Sequence, residues 1–249
     1  NTEPLDLTES HQTIVGDSRN ILKRIPDESV QLTVTSPPYD IGKDYGDTYD
    51  DTQGVKEWKE MMYEIIQEVF RVTKPDGKLV INIGKKLAND DSNRFRIFPL
   101  AAHIKQMCLN IGFDMWDEAI WTTNGYANRG GGDALMGSYP HPTNLMITQL
   151  HEHVIVLRKY VSESYHKNRS LPHPDSQRKQ ESALSKERWK DITQSLWDID
   201  TVRQSALDTD HNAVYPEELP KRAIEMYSFK GDRILDPLSG TGTTGVAAK

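Results

Sequence analysis

Trp58, Met61, Met62, Ile65, Ile66, Val69 and Val72 recur at helical spacing between two strand-like runs, residues 30–35 and 78–84. A helix with one apolar stripe must bury that stripe, and short β-branched runs need cover on both faces. Strand, helix and strand in that order close as a crossover unit with parallel strands. The pattern then repeats. A helix from about 98 to 110 stops at Gly112, residues 115–122 return as a strand, and 152–157 form another. The expected class is α/β, with three layers and a mostly parallel central sheet.

The other segments attach to that frame. Residues 12–16 read as a short strand closed by Gly16-Asp17-Ser18, where Asp17 or Ser18 caps a helix running to about Ile25. The helix after residue 54 is expected to end at Pro75-Asp76-Gly77. Residues 40–54 and 124–144 are rich in Gly, Asp and Asn and read as loops. Residues 216–229 are helical again, and 233–236 form a strand before a final helix begins near Val246. With 36% hydrophobic residues in 249, the chain can bury one sizeable core and a small appendage. It has no run of ~18 apolar residues and a single cysteine, so a reducing, cytoplasmic setting is expected. Cys108 falls within a helical apolar pattern and reads as core. His151 and His153 share a strand face without a third ligand nearby, and no metal is expected.

Two loops at strand ends carry the chemistry. Thr35-Ser36-Pro37-Pro38-Tyr39 follows the strand at 30–35. Its consecutive prolines fix φ and remove two backbone donors, which holds the carbonyls of Ser36 and Pro37 stiffly beside an aromatic ring. Alone, a Pro-Pro pair is ordinarily a turn. It also meets the requirement for holding a planar, amine-bearing base. Near the far end of the chain, Gly240-Thr241-Gly242-Thr243-Thr244-Gly245 fits G-x-G-x-x-G between a strand and a helix, where glycines admit a ligand to the backbone. By itself that pattern suits a nicotinamide dinucleotide as well as S-adenosylmethionine. The lack of a following Lys argues against a P-loop.

Together, and in this order, the loops resemble those of the β-class amino-group DNA methyltransferases. The family's catalytic loop stands here as Ser36-Pro37-Pro38-Tyr39, and its cofactor loop as Asp236-Pro237-Leu238-Ser239-Gly240-Thr241-Gly242-Thr243-Thr244. Gly16-Asp17 is similar to the turn whose acid meets the cofactor's adenine, and Phe70-Arg71-Val72-Thr73-Lys74-Pro75-Asp76-Gly77 to the helix end after the catalytic loop. Residues 211–219, with Asn212 and Pro216, are similar to the segment before the cofactor loop. The resemblance implies a Rossmann-like methyltransferase fold with circularly permuted motif order, S-adenosylmethionine as cofactor and double-stranded DNA as substrate. Ser36, Pro37, Pro38 and Tyr39 would be catalytic. Asp17, Asn212, Pro216, Asp236, Pro237, Ser239, Gly240, Thr241, Gly242 and Thr243 would face the cofactor. Two departures stand out: Trp121-Thr122-Thr123 lacks the family's Lys, and an acid for the ribose hydroxyls is expected ~20 residues beyond the cofactor loop. Either the sequence is shortened or a second chain completes the C-terminal part of the fold.

Charge suggests where DNA would lie. The net charge is −7, yet residues 158–190 hold nine Lys/Arg against four Asp/Glu, a local +5 on a body of −12. Residues 160–206 therefore read as a target-recognition insertion, outside the core despite an apolar island at Ile192, Leu196, Trp197 and Ile199. The catalytic domain would comprise 1–159 and the cofactor-binding part 207–249. Arg129, Arg158, Lys167, Arg169, Arg178 and Lys179 are the candidate DNA contacts, with 124–138 as a second DNA-facing loop. Methylation at carbon 5 of cytosine needs a cysteine nucleophile, and Cys108 lacks the Pro-Cys context. Among amine targets the resemblance ties Ser-Pro-Pro-Tyr more often to cytosine N4 than to adenine N6. The target base would flip out of the duplex, and a cognate restriction endonuclease is the partner such enzymes imply. Competing readings are methylation of RNA or a protein amine, and a non-catalytic DNA- or cofactor-binding module. A nicotinamide oxidoreductase leaves Ser36-Pro37-Pro38-Tyr39 unexplained.

Overall fold

The computed structural model describes residues 3–38, 55–89, 95–122, 138–145, 147, 150–160, 175–201 and 215–249. In chain order its elements are α1 (Ser18–Ile21), β1 (Val30–Thr35), α2 (Val55–Val72), β2 (Thr73–Ile83), β3 (Lys86–Asn89), β4 (Phe95–Phe98), α3 (Leu100–Ile111), β5 (Asp114–Thr122) and β6 (His151–Arg158). There follow α4 (Ser176–Glu181), α5 (Lys186–Ile192), β7 (Leu196–Asp198), α6 (Glu218–Tyr227), β8 (Ile234–Leu235) and α7 (Thr243–Ala247). The main sheet has the order β7-β5-β6-β2-β1-β8, and β3 and β4 form a separate hairpin. β1 is parallel to both neighbours, and β7 to β5; β6 runs antiparallel to β2 and β5. The sheet is thus mostly parallel, as expected.

Side chains alternate across β2, and this alternation makes three layers. Leu79, Ile81 and Ile83 join Trp58, Met62, Ile66, Val69, Leu100 and Ile104 in the core under α2 and α3. Val80 faces the other way, with Leu32, Val34, Val154 and Val156, against Leu219 and Ala223 of α6. Each such fully buried aliphatic side chain contributes about 1.5–3 kcal/mol. Arg71 ties α2 to the start of the chain: it donates to the carbonyls of Ile25 and Leu22 at 2.9 and 2.8 Å and pairs with Asp27.

The structure differs from the sequence reading at three places. Residues 12–16 form no strand; Ile14 and Val15 are exposed, and without a neighbouring strand their alternation has no face to bury. Helix α2 ends at Val72 and not at Gly77, because Thr73 is drawn into the sheet opposite Val30. The next pair is Leu32 with Lys78, so residues 74–77 loop out.

The third difference concerns the segment read as an insertion outside the core. Its described part, 175–201, is built into the domain. β7 extends the sheet beside β5, and Ile192, Trp197 and Ile199 are buried. The Trp121 indole N–H donates to the Ile199 carbonyl at 2.8 Å. Charge binds it too: Arg188 donates to Glu218 and Glu225 of α6, both at 2.7 Å, while Arg222 reaches Glu218 at 2.9 Å and Asp191 at 3.1 Å. An apolar island within a basic stretch was core after all.

Burial alone would raise the Glu218 carboxyl, but the hydrogen bonds from Arg188 and Arg222 outweigh it and hold it below the ordinary glutamate value. Its stabilisation is therefore present above the ordinary carboxylate range and lost as pH falls through the depressed value. Arg188→Leu should cost about 1–2 kcal/mol and lower Tm by about 2–8 °C at neutral pH. The gap to wild type should shrink in melts at about pH 4, where Glu218 protonates in the unfolded chain. An equal gap at both pH values would mean that packing, not charge, supplies the link.

Candidate active site

Across the β1–β8 pair, Thr33 registers with Leu235, so Ser36 and Asp236 leave their strands at the same edge of the sheet. The carboxyl ends of neighbouring parallel strands are where open α/β sheets bind ligands. A hydrogen bond joins the two loops directly. Thr35 Oγ1 donates to Asp236 Oδ1 at 2.8 Å. Asp236 Oδ1 also accepts the Leu238 N–H at 3.1 Å, and Oδ2 accepts Thr244 Oγ1 at 2.6 Å and the Tyr215 hydroxyl at 3.4 Å. Tyr215 and Thr244 are hydrogen-bonded to each other. Burial pushes the Asp236 carboxyl up from the ordinary aspartate value, against the opposing pull of these donors. Burial, followed by the Asp236 charge, raises the Tyr215 phenol.

The glycine turn is shaped for close approach. Gly242 has φ +83°, a region open to glycine, and its N–H donates to the Ser239 carbonyl at 2.7 Å. A Cβ built on Gly242 or Gly245 would meet no atom within 4 Å, so this side of the turn is open. Ser18 donates to the Pro237 carbonyl, which brings the start of α1 against the loop. Asp17 caps α1 through the Arg19 N–H at 2.9 Å and pairs with the Arg19 guanidinium at 2.6 Å, a bond that holds its carboxyl below the ordinary value. In the catalytic loop Pro37 is buried, while Ser36 and Pro38 are partly so. The Trp58 indole N–H donates to the Pro38 carbonyl at 2.7 Å.

A family model described as DNA methylase matches residues 30–249, which include both loops. The chain belongs to the DNA methylase family. The type II methyltransferase M.MjaI of Methanocaldococcus jannaschii is 30% identical to it, over 98% of this chain and 85% of that protein. TTHA0409 of Thermus thermophilus, a candidate DNA modification methylase solved in complex with S-adenosyl-L-methionine, is 30% identical with a TM-score of 0.68, covering 94% of this chain and 81% of that one. The cytosine-N4-specific PvuII DNA methyltransferase shares the fold at 17% identity and TM-score 0.59, over 94% of this chain and 76% of its own.

The methylase's structure sorts the residues named from sequence. Ser36, Pro37, Pro38, Pro237, Ser239, Gly240, Thr241, Gly242 and Thr243 lie in the two adjoining loops, and buried Pro216 sits at the foot of α6 beside Tyr215. Tyr39, Asn212, Arg129, Lys167, Arg169 and the loop 124–137 lie outside the described residues. Asp236 lies at the start of the cofactor loop, where Thr35, Thr244 and the Leu238 N–H donate to its carboxylate and Tyr215 is within reach of it.

Of the candidate DNA contacts, Arg158, Arg178 and Lys179 are among the described residues. Arg158 registers with Lys78 and Asp114 at the opposite edge of the sheet, stacked on Trp116 at 4.6 Å and Tyr160 at 5.0 Å. Arg178 pairs with Asp232 at 3.1 Å, at the entry end of β8, and Lys179 is its neighbour on α4. Arg158 and Arg178 thus stand away from the edge that carries Ser36.

Sequence reasoning missed Thr35, Thr244, Tyr215, Ser18 and Trp58. The first two are threonines within the quoted motifs, and Tyr215 directly precedes Pro216, so position offered a signal for those three. Trp58 offered none, since its spacing reads as core. Cys108 is fully buried and its thiol is pushed up to about 12, leaving no thiolate at neutral pH. Among the described residues no three His, Cys, Asp or Glu side chains converge as a metal site, and no helix is long and apolar enough to cross a membrane.

Proposed function

We propose that this chain is a DNA methyltransferase of restriction-modification type that uses S-adenosylmethionine to methylate an exocyclic amine, cytosine N4, on a base flipped out of the duplex. The observation that carries the reading is the Thr35–Asp236 hydrogen bond at 2.8 Å, which ties the residue before Ser36 to the start of the cofactor loop. The turn fits S-adenosylmethionine: Gly242, which is left-handed, and Gly245 leave one side open, and the backbone of 239–243 with the Ser239, Thr241 and Thr243 hydroxyls would hold it. When bound, the cofactor supplies a methyl group on a positively charged sulfur.

The chain's own residues do the rest. Ser36 Oγ and the Pro37 carbonyl accept hydrogen bonds from the amine, which draws its lone pair out of conjugation with the ring and aims it in line with the methyl group. The same two acceptors face the amine's protons as they become acidic. Tyr39, next along the chain, stacks on the base. A base within a duplex cannot reach a loop at this sheet edge, so flipping is required. Ser-Pro-Pro-Tyr supports cytosine N4 through the family resemblance, with adenine N6 as the alternative. M.MjaI is a type II methyltransferase, and a restriction endonuclease of the same target sequence is the partner proposed with this setting.

Incubation with labelled S-adenosylmethionine and mixed-sequence duplex DNA, followed by nucleoside analysis, should yield N4-methylcytosine. N6-methyladenine in its place would reassign the base. Neither product, from folded protein that binds the cofactor, would overturn the enzymatic reading in favour of a binding module.

A further inference from the structure

The Ser36-Pro37 pair is fastened on both sides by groups that do not themselves face the substrate. Before it, Thr35 Oγ1 is bonded to Asp236 at 2.8 Å; after it, the Pro38 carbonyl is bonded to Trp58 Nε1 at 2.7 Å. Pro37 and Pro38 have no N–H, so this turn has fewer backbone bonds with which to hold itself. Side chains supply the hold. Trp58 is 0% exposed on α2, among Met62, Ile65 and Ile66, and a buried indole N–H needs an acceptor. Hydrophobic packing fixes the ring, and the ring fixes the carbonyl.

We propose that Thr35 and Trp58 are positioning residues that clamp the catalytic loop, Thr35 to the cofactor loop through Asp236 and Trp58 to the core helix α2, so that Ser36 Oγ and the Pro37 carbonyl stay aimed at the amine. This rests on the reading of those two atoms as the amine's acceptors. Neither clamp residue touches the reacting atoms. Loss of either lets the acceptors drift, and misplacement by about 1 Å costs on the order of 100-fold in rate.

The test measures single-turnover methylation of duplex DNA, cofactor affinity by calorimetry and Tm for Trp58→Phe, Thr35→Val and Thr35→Ser in the full chain. Trp58→Phe keeps a ring and removes the donor; Thr35→Val keeps the shape and removes the hydroxyl. Both should slow transfer by about 10- to 100-fold; cofactor Kd should stay within about threefold for Trp58→Phe, while Thr35→Val, which also removes a donor to Asp236, should weaken cofactor binding by clearly less than it slows transfer. Thr35→Ser, which restores the hydroxyl, should recover to within about threefold of wild type. Wild-type rates in folded Trp58→Phe and Thr35→Val would overturn the clamp, as would a rate loss matched by equal loss of cofactor affinity, or Thr35→Ser as slow as Thr35→Val. Should Trp58→Phe not fold, the Thr35 pair decides. A Ser36→Ala variant at full rate would sink the acceptor reading itself, whereas a slow Ser36→Ala beside fast clamp variants would sink only the clamp.

Discussion

Ser36→Ala should cut methyl transfer by about 100- to 1000-fold while S-adenosylmethionine affinity changes by less than about threefold, the loss of one preorganised group facing the reacting atoms being worth about 2.7–4 kcal/mol. The asymmetry follows from the wiring of the edge. The cofactor loop is held by Asp236 through Thr35, Thr244, Tyr215 and the Leu238 N–H, and by Ser18 on the Pro237 carbonyl. The Ser36 hydroxyl is no part of that network. Ser36 is only partly buried, so its truncation opens no core cavity. Single-turnover rates beside calorimetric titration separate the two quantities. Equal loss of rate and affinity would make the loop structural, and an unchanged rate would leave the amine to other acceptors.

The parts of this molecule legible in its sequence are those that depend on near neighbours in the chain. Helical spacing from Trp58 to Val72 and the β-branched runs on either side gave the crossover, because each pattern reports which face one element must bury. The two loops were legible because proline and glycine constrain their own backbone. Pairings between distant residues were not. Nothing near Arg188 announces that Glu218 and Glu225 will pair with it and so tie α5 to α6. The placement of Arg158 and Arg178 was illegible for a related reason: composition shows that charge is clustered, but only sheet register shows at which edge. Asp236 was legible as part of the cofactor loop, but not its bond from Thr35, about 200 residues earlier.

Gly77→Val tests the opposite kind of motif residue, one that resembles the family's pattern and yet does no chemistry. A Cβ at Gly77 would lie 2.7 Å from Thr73 Cγ2 and 2.9 Å from the carbonyl oxygens of Gln31 and Lys74. Two of those three neighbours are backbone and cannot rotate away. Gly77 closes the loop-out at 74–77, and its carbonyl accepts the Lys159 N–H at 3.0 Å, so relief of the contact must shift β2 against β1 or against the chain leaving β6. Such overpacking costs about 3 kcal/mol, and Tm should fall by about 6–12 °C. Because β1 carries Thr35 and leads into Ser36, cofactor affinity and methylation should fall together, in step with the folded fraction read by denaturant titration. Gly77→Ala, with the same first contact and less bulk, should lie between. A Gly77→Val protein with wild-type Tm and selectively lost methylation would instead move this turn into the active site. Ser36 and Gly77 sit at the two ends of the same strand pair, one where chemistry is aimed and one where the aim is set, and their variants should fail in these two distinguishable ways.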